Sequence, residues 1–211
     1  MRVLIACEFS GTVRRAFAAR GWHAVSVDML PSEDCPMGPL QQHWIGDVRD
    51  YLGCDWDLMI AHPPCTRLAN SGVRWLHKPP RGRTVSEMWA DLEHAAAFYK
   101  ALRDAPIPRK AIENPIMHKY ARELIKPGRR QIVQPWQFGE PAFKATGFEL
   151  IGLPDLVPTN VLAIPAKGTE EHKRWSAVHR EPPGPDRWKN RSRTFKGIAD
   201  AMASQWGSIN Y

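Results

Sequence analysis

The sequence predicts an α/β fold built on an open, mostly parallel sheet with helices on both faces. Short apolar runs alternate with stretches of helical periodicity through the first 125 residues. Each run ends abruptly on a polar residue, a glycine or a proline, as strands do where they feed turns that face a ligand. The 211 residues, 43% of them apolar, suffice for one core and would be cramped for two.

Val3–Ala6 is the first strand, Gly11 punctuates, and Val13, Ala16 and Phe17 follow at helical spacing until Gly21 ends the helix. Ala24–Val27 alternates as a second strand that ends at Asp28. A loop with Pro31, Pro36, Gly38 and Pro39 leads on to a third strand, Asp57–Ala61, which stops at His62-Pro63-Pro64. Thr84-x-x-Glu87 is a capping box, and its helix carries Met88, Leu92, Ala95, Tyr99 and Leu102 at steps of three and four. Lys110–Ile112 is a further strand running into Glu113-Asn114-Pro115, and a helix from His118 to Ile125 ends before Pro127-Gly128. Residues 148–190 read mainly as loop with short strands. The chain closes on a helix with Ile198, Met202 and Trp206 at every fourth residue.

Composition excludes collagen-like, coiled-coil and disordered classes. No apolar run approaches the roughly 18 residues of a membrane span. The N-terminus reaches Glu8 too soon for a signal peptide. Cys7, Cys35, Cys54 and Cys65 form no CxxC pair, so neither a zinc ribbon nor a disulfide framework is expected. The expectation is a cytoplasmic protein with no resident metal.

The formal charge of +7 divides unevenly. Residues 1–64 hold five Arg against eight Asp and Glu, whereas residues 65–211 hold 24 Lys and Arg against 14 Asp and Glu. The basic excess therefore lies wholly after Pro64. It is densest in Arg67, Arg74, Lys78, Arg81 and Arg83, a stretch with no acid of its own, and again between Lys173 and Lys196. Binding to a polyanion is the functional reading, since each phosphate contact releases condensed counterions. A solvated basic surface is the plain alternative.

The strand ends carry the polar chemistry. Glu8-Phe9-Ser10-Gly11-Thr12 is a turn of small residues opening a helix, and its free backbone N–H groups would suit an anionic ligand group. Asp28 could accept from a ribose diol and Asp47, in Gly46-Asp47-Val48, from an adenine amino group. At the end of the third strand, two prolines display Cys65 rigidly. Cys65 reads as a nucleophile whose anion the basic loop would favour, as a buried filler, or as a metal ligand with His62. Glu113 could activate a cytosine ring by engaging N3, or make a surface salt bridge.

Phe9-Ser10-Gly11, Asp28-Met29, Gly46-Asp47-Val48, Pro63-Pro64-Cys65 and Glu113-Asn114-Pro115 resemble, in order, the signature motifs of the cytosine-C5 DNA methyltransferases. Ser71-Gly72 follows Cys65 at the family's spacing, and Phe138 to Thr146 looks like its Tyr-Gly-x-Pro-Gln-x-Arg-x-Arg block. The resemblance is closest to a short, phage-type branch. Thr66 stands where the family has Gln, Pro115 where it has Val, and Ala142, Lys144 and Thr146 where it has Gln, Arg and Arg.

The resemblance implies a Rossmann-like class I methyltransferase that uses S-adenosyl-L-methionine and acts on DNA. Residues 1–211 would be one catalytic domain, with 148–190 a reduced target-recognition insert and 197–211 a helix packing back on the N-terminal region. Phe9, Ser10, Gly11, Thr12, Asp28, Met29, Asp47, Val48 and Pro63 would hold the cofactor. Cys65 would add to C6 of a flipped cytosine while Glu113 engages N3 and Lys144 lies near O2. Arg67, Ser71, Arg74, Lys78, Arg81 and Arg83 would form a mobile DNA-closing loop. Arg187, Lys189, Arg191 and Arg193 would contact phosphates. An amino-group methyltransferase acting on adenine N6 or cytosine N4, and a non-catalytic DNA or cofactor binder, are the alternative functions.

Overall fold

Val3, Leu4, Ile5 and Ala6 are all fully buried, so the first strand, β1 (Arg2–Ala6), is covered on both faces, as a continuous apolar run requires. Leu4 and Ala6 enter one core, while Val3 and Ile5 enter the other. The computed structural model describes residues 1–35, 38–114 and 116–208. Its other strands are β2 (His23–Asp28), β3 (Gln41–Ile45), β4 (Leu58–Ala61), β5 (Arg109–Glu113), β6 (Arg130–Val133) and β7 (Thr146–Ile151). They form one sheet in the order β3-β2-β1-β4-β5-β7-β6. β1 to β5 run parallel, and β7 runs antiparallel to β5 and β6.

On one face lie α2 (Val85–Asp104) and α3 (Lys119–Ile125), on the other α1 (Thr12–Ala18) and α7 (Lys196–Gln205), which pack on each other. The capping box forms: Thr84 Oγ1 accepts from the Glu87 amide and Glu87 accepts from the Thr84 amide, an arrangement worth about 1 kcal/mol. Ile198, Met202 and Trp206 are buried, Trp206 completely. This is an open, mostly parallel α/β sheet with helices on both faces, as the α/β alternation predicted.

The structure departs from the sequence reading at four places. β3 and β6 are strands that the sequence did not show. Both are edge strands with polar sequences, Gln41-Gln42-His43 and Arg130-Gln131, and owe their form to pairing with β2 and β7. On α2, Ala96 rather than Ala95 sits in the buried stripe, because Ala95 falls at its rim. Residues 148–151 belong to β7, inside the sheet, and not to a loop. The stretch beyond them carries short helices, α4 (Glu170–Trp175), α5 (Ala177–Arg180) and α6 (Arg187–Ser192), in place of short strands. Thr169 caps α4 by accepting from the His172 amide, and Trp175 seats the helix against Phe143. Pro36, Pro115 and residues 209–211 lie outside the described residues.

β1 lies where strand order reverses: the chain runs outward through β2 and β3, then returns to β4 on the other side. Ligands of such sheets bind at the carboxyl ends of the strands at this switch point. Register decides what stands there. Val27 and Ala61 both pair with Ala6, and Ala61 pairs with Ile112. The next residues, Asp28, Cys7, His62 and Glu113, therefore form one row across the sheet edge, with Ile45 beside Asp28.

Candidate active site

His62-Pro63-Pro64-Cys65 leaves β4 at the centre of this row. The His62 amide donates to Ala6 O, which fixes the strand tip. The Cys65 carbonyl accepts from the Leu68 and Ala69 amides, closing a turn that holds the thiol at the crevice. Gly72 is required behind it, since a Cβ there would stand 2.1 Å from Thr66 O. His62 Nδ1 lies 2.5 Å from Glu113 Oε2. Burial pushes Glu113 up, but the His62 hydrogen bond, helped by Lys144, outweighs it and holds the carboxyl below its usual range.

Glu113, Lys144 and Arg191 lie near enough to Cys65 for their charges to act on its thiol. Its thiol is raised above the ordinary value, first by burial and then by Glu113, with Lys144 and Arg191 pulling the other way. This corrects the expectation that the basic loop favours the thiolate. The loop's cations are directed elsewhere: Arg67 and Arg83 both pair with Asp91 on α2, at 2.9 and 3.0 Å, and Arg74 lies over the Trp75 ring. The segment is not a free loop either, because Asn70–Leu76 forms a 3-10 helix and Leu68 and Leu76 enter the core. Ser71, Lys78 and Arg81 are exposed.

The turn after β1 is closed from within. Glu8, 4% exposed, accepts from the Val13 amide at 2.6 Å and the Arg14 amide at 3.2 Å. The anion site expected at the start of α1 is thus filled by the protein's own carboxylate. Gly11 has φ 68°, and a Cβ there would meet Arg14 Nη2 and Asp34 Oδ2 at 2.6 Å. Phe9 and Ser10 are buried, while Thr12 is half-buried.

Asp28 Oδ1 accepts from the Leu30 amide. Burial lifts this carboxyl above its usual range, against the Leu30 amide and the His43 ring. Met29 beside it is 72% exposed and Ile45 is 63% exposed, an apolar pair flanking a half-buried acid. Asp47 binds Arg49 through the side chain and the amide, which lowers its carboxyl. Val48 departs from its expected place: it is 4% exposed and belongs to the core rather than the crevice. Pro63 is buried.

The C-terminal basic group also departs from expectation. Arg193 is held by Glu33, and Arg187 Nε donates to Glu181 O. Lys144 Nζ donates to Arg193 O at 3.0 Å, and Trp188, 5.8 Å from Phe9 between ring centroids, carries Lys189 over its face. α6 and the residues after it therefore meet the crevice rather than projecting away as a free phosphate-binding stretch. Among the described residues no group of three or more His, Cys, Asp or Glu could hold a metal, and no helix is long and apolar enough to cross a membrane.

No protein-family model matches this chain, and no curated protein matches it. Solved structures do. One is an E. coli protein described as a DNA modification methyltransferase encoded within a prophage, 15% identical, with a TM-score of 0.48 over 78% of this chain and 53% of that one. Another is the Entamoeba histolytica methyltransferase EhMeth, 12% identical, with a TM-score of 0.43 over 78% of this chain and 58% of that one. The chain spans little more than half the length of either. Neither likeness by itself assigns an activity.

Two members of the site were missed in the sequence. His62 was weighed only as a metal ligand, and Cys7 not at all. Cys7 turns the chain with φ 59°, and its thiol is pushed far up by burial, then by Asp28 and Asp47. The signal that finds both is parallel register: once Ala6 is set opposite Val27 and Ala61, the residues following them must be neighbours.

Proposed function

We propose that the chain is a DNA cytosine-C5 methyltransferase, in which Cys65 attacks C6 of a flipped cytosine. The observation that supports this reading is the strand-end register that sets His62, three residues before Cys65, against Glu113, with Glu113 and Lys144 both acting on the charge of Cys65. A thiol is a nucleophile once it loses its proton. A carboxyl group beside N3 activates the ring, and a cation near O2 balances the charge that develops on attack. Lys144 places one charge there but lacks the two-pronged fork of arginine. Cys65 rests as a thiol, raised by burial and by Glu113, so forming the S–C6 bond requires its S–H proton to pass to the ring, where N3 beside Glu113 can take it up.

The residues present fit the adenosyl half of S-adenosylmethionine. Asp28, an under-paired and half-buried carboxylate, would accept from the ribose hydroxyls, with Met29 and Ile45 against the adenine. The acid-rich first third of the chain suits a cationic sulfonium. When bound, the cofactor supplies an electrophilic methyl group to C5. Phe9, Ser10 and Asp47 would border it, the last by sharing its carboxylate with Arg49. DNA would be met by Ser71, Arg74, Lys78 and Arg81, and by Lys189 and Arg191. Extruding the base costs a few kcal/mol.

Covalent trapping tests the reading. DNA carrying 5-fluorocytosine, incubated with the chain and S-adenosylmethionine, is expected to form a denaturant-stable complex that Cys65→Ser abolishes. No complex with folded wild-type chain overturns the mechanism. An amino-group methyltransferase would modify DNA with or without Cys65.

A further inference from the structure

His62 sits at the tip of β4, and the reaction proposed above gives it no task. Its side chain is 9% exposed, Nδ1 lies 2.5 Å from Glu113 Oε2, and Nε2 is buried with no hydrogen-bond partner among the described residues. These facts distinguish the two neutral forms of the ring. A hydrogen on Nε2 alone would bury an unpaired N–H. A hydrogen on Nδ1 donates to Glu113 and leaves only a lone pair unused, the less costly arrangement. The charged groups that act on the ring are Glu113 from β5 and Asp28 from β2, and Lys144 acts on Glu113 in turn.

We propose that His62 is a positioning residue that decides which pyrimidine Glu113 admits, by holding that carboxylate ionised and fixed in direction. The proposal rests on the reading of Cys65 and Glu113 given above. An ionised carboxylate only accepts hydrogen bonds. As Cys65 attacks C6 its S–H proton passes to N3, so the cytosine adduct presents N3–H beside its N4 amino hydrogens to this acceptor, whereas the uracil adduct keeps O4, to which the carboxylate offers nothing. A protonated Glu113 would accept through one oxygen and donate through the other. It would then match cytosine through N4–H and N3, and equally uracil through N3–H and O4. One proton separates the two outcomes, and the Nδ1–H of His62 keeps it off Glu113.

The test compares trapping of two DNA oligonucleotides, one with a single 5-fluorocytosine and one with a single 5-fluorouracil, by the full chain with S-adenosylmethionine. Wild type is expected to trap the fluorocytosine oligonucleotide in strong preference. His62→Leu, which cannot donate, is expected to lower the cytosine-to-uracil ratio by roughly tenfold or more. His62→Asn retains a donor on a shorter side chain and should fall between. General damage to the fold would reduce both yields together and leave their ratio. An unchanged ratio in His62→Leu, with fluorocytosine still trapped, overturns this proposal alone. Trapping of neither base by wild type overturns the proposed reaction and this inference with it. Should the variants not fold, nitrogen NMR of wild-type His62 at neutral pH decides: a protonated Nδ1 is expected, and an unprotonated Nδ1 overturns the proposal.

Discussion

Arg193 and Glu33 meet as a two-pronged ion pair, Nη2 to Oε1 at 2.7 Å and Nε to Oε2 at 3.0 Å. The pair ties the residues after α6 to the loop after β2. Exposed pairs of this kind contribute about 1 kcal/mol or less, so Glu33→Gln should barely move the melting temperature. What it should change is local opening. Trypsin cleavage at Arg187, Lys189 and Arg191 is expected to accelerate in Glu33→Gln, and unchanged cleavage would show that the pair does not hold the segment. Arg193 holds the Glu33 carboxyl below its usual range, so the tie is present above that range and lost as pH falls through the lowered value.

Glu8→Ala is expected to destabilise the whole domain. It leaves the buried amides of Val13 and Arg14 without their acceptor. The cost is about 2 kcal/mol, which for a chain of this length lowers the melting temperature by roughly 4–8 °C. Calorimetry checks it; a fall of only a degree would mean that water replaces the carboxylate.

Arg14 is fully buried and pairs with Asp34, which also receives Arg15 and the Ser32 hydroxyl. Burial pushes the Asp34 carboxyl up, but Ser32, Arg15 and Arg14 together hold it at about 2. Its folded value lies below its unfolded one, so the stabilisation is present above the ordinary aspartate range and lost as pH falls towards about 2. Asp34→Asn strands a buried guanidinium and should cost about 3 kcal/mol in chemical denaturation at neutral pH. A loss below about 1 kcal/mol would contradict the pairing.

Cys65 should react slowly with iodoacetamide at neutral pH, more slowly than the exposed Cys35 and Cys54, and faster as pH rises. The signs of its neighbours set the variants. Glu113→Gln removes a charge that opposes the thiolate and should speed alkylation, whereas Lys144→Ala and Arg191→Ala should slow it. Peptide mass spectrometry reads each cysteine separately. Equal rates in Glu113→Gln and wild type would mean that the two groups do not share a crevice.

The strands at the centre of the sheet were legible because each is buried on both faces and so reads as an unbroken apolar run. β3 and β6 were not, because an edge strand needs only a partner's backbone and leaves its side chains in water. The long helix was legible from Thr84 and Glu87 together with the apolar stripe that begins at Met88. In the site, Cys65 and Glu113 stood out because each ends a strand abruptly. The neutralising partners did not: Asp91 lies 24 residues from Arg67, and Glu33 160 from Arg193. Nor did His62, whose contact with Glu113 follows from Ala61 pairing with Ile112, a register that no local pattern encodes.

The central claim is that this crevice modifies cytosine at C5, and nucleoside mass spectrometry tests it most directly. DNA from cells expressing the chain, digested to nucleosides, should contain 5-methylcytosine, and DNA from cells expressing Cys65→Ser or Glu113→Gln should not. Wholly unmodified cytosine alongside folded, cofactor-exposed wild-type chain would contradict the account.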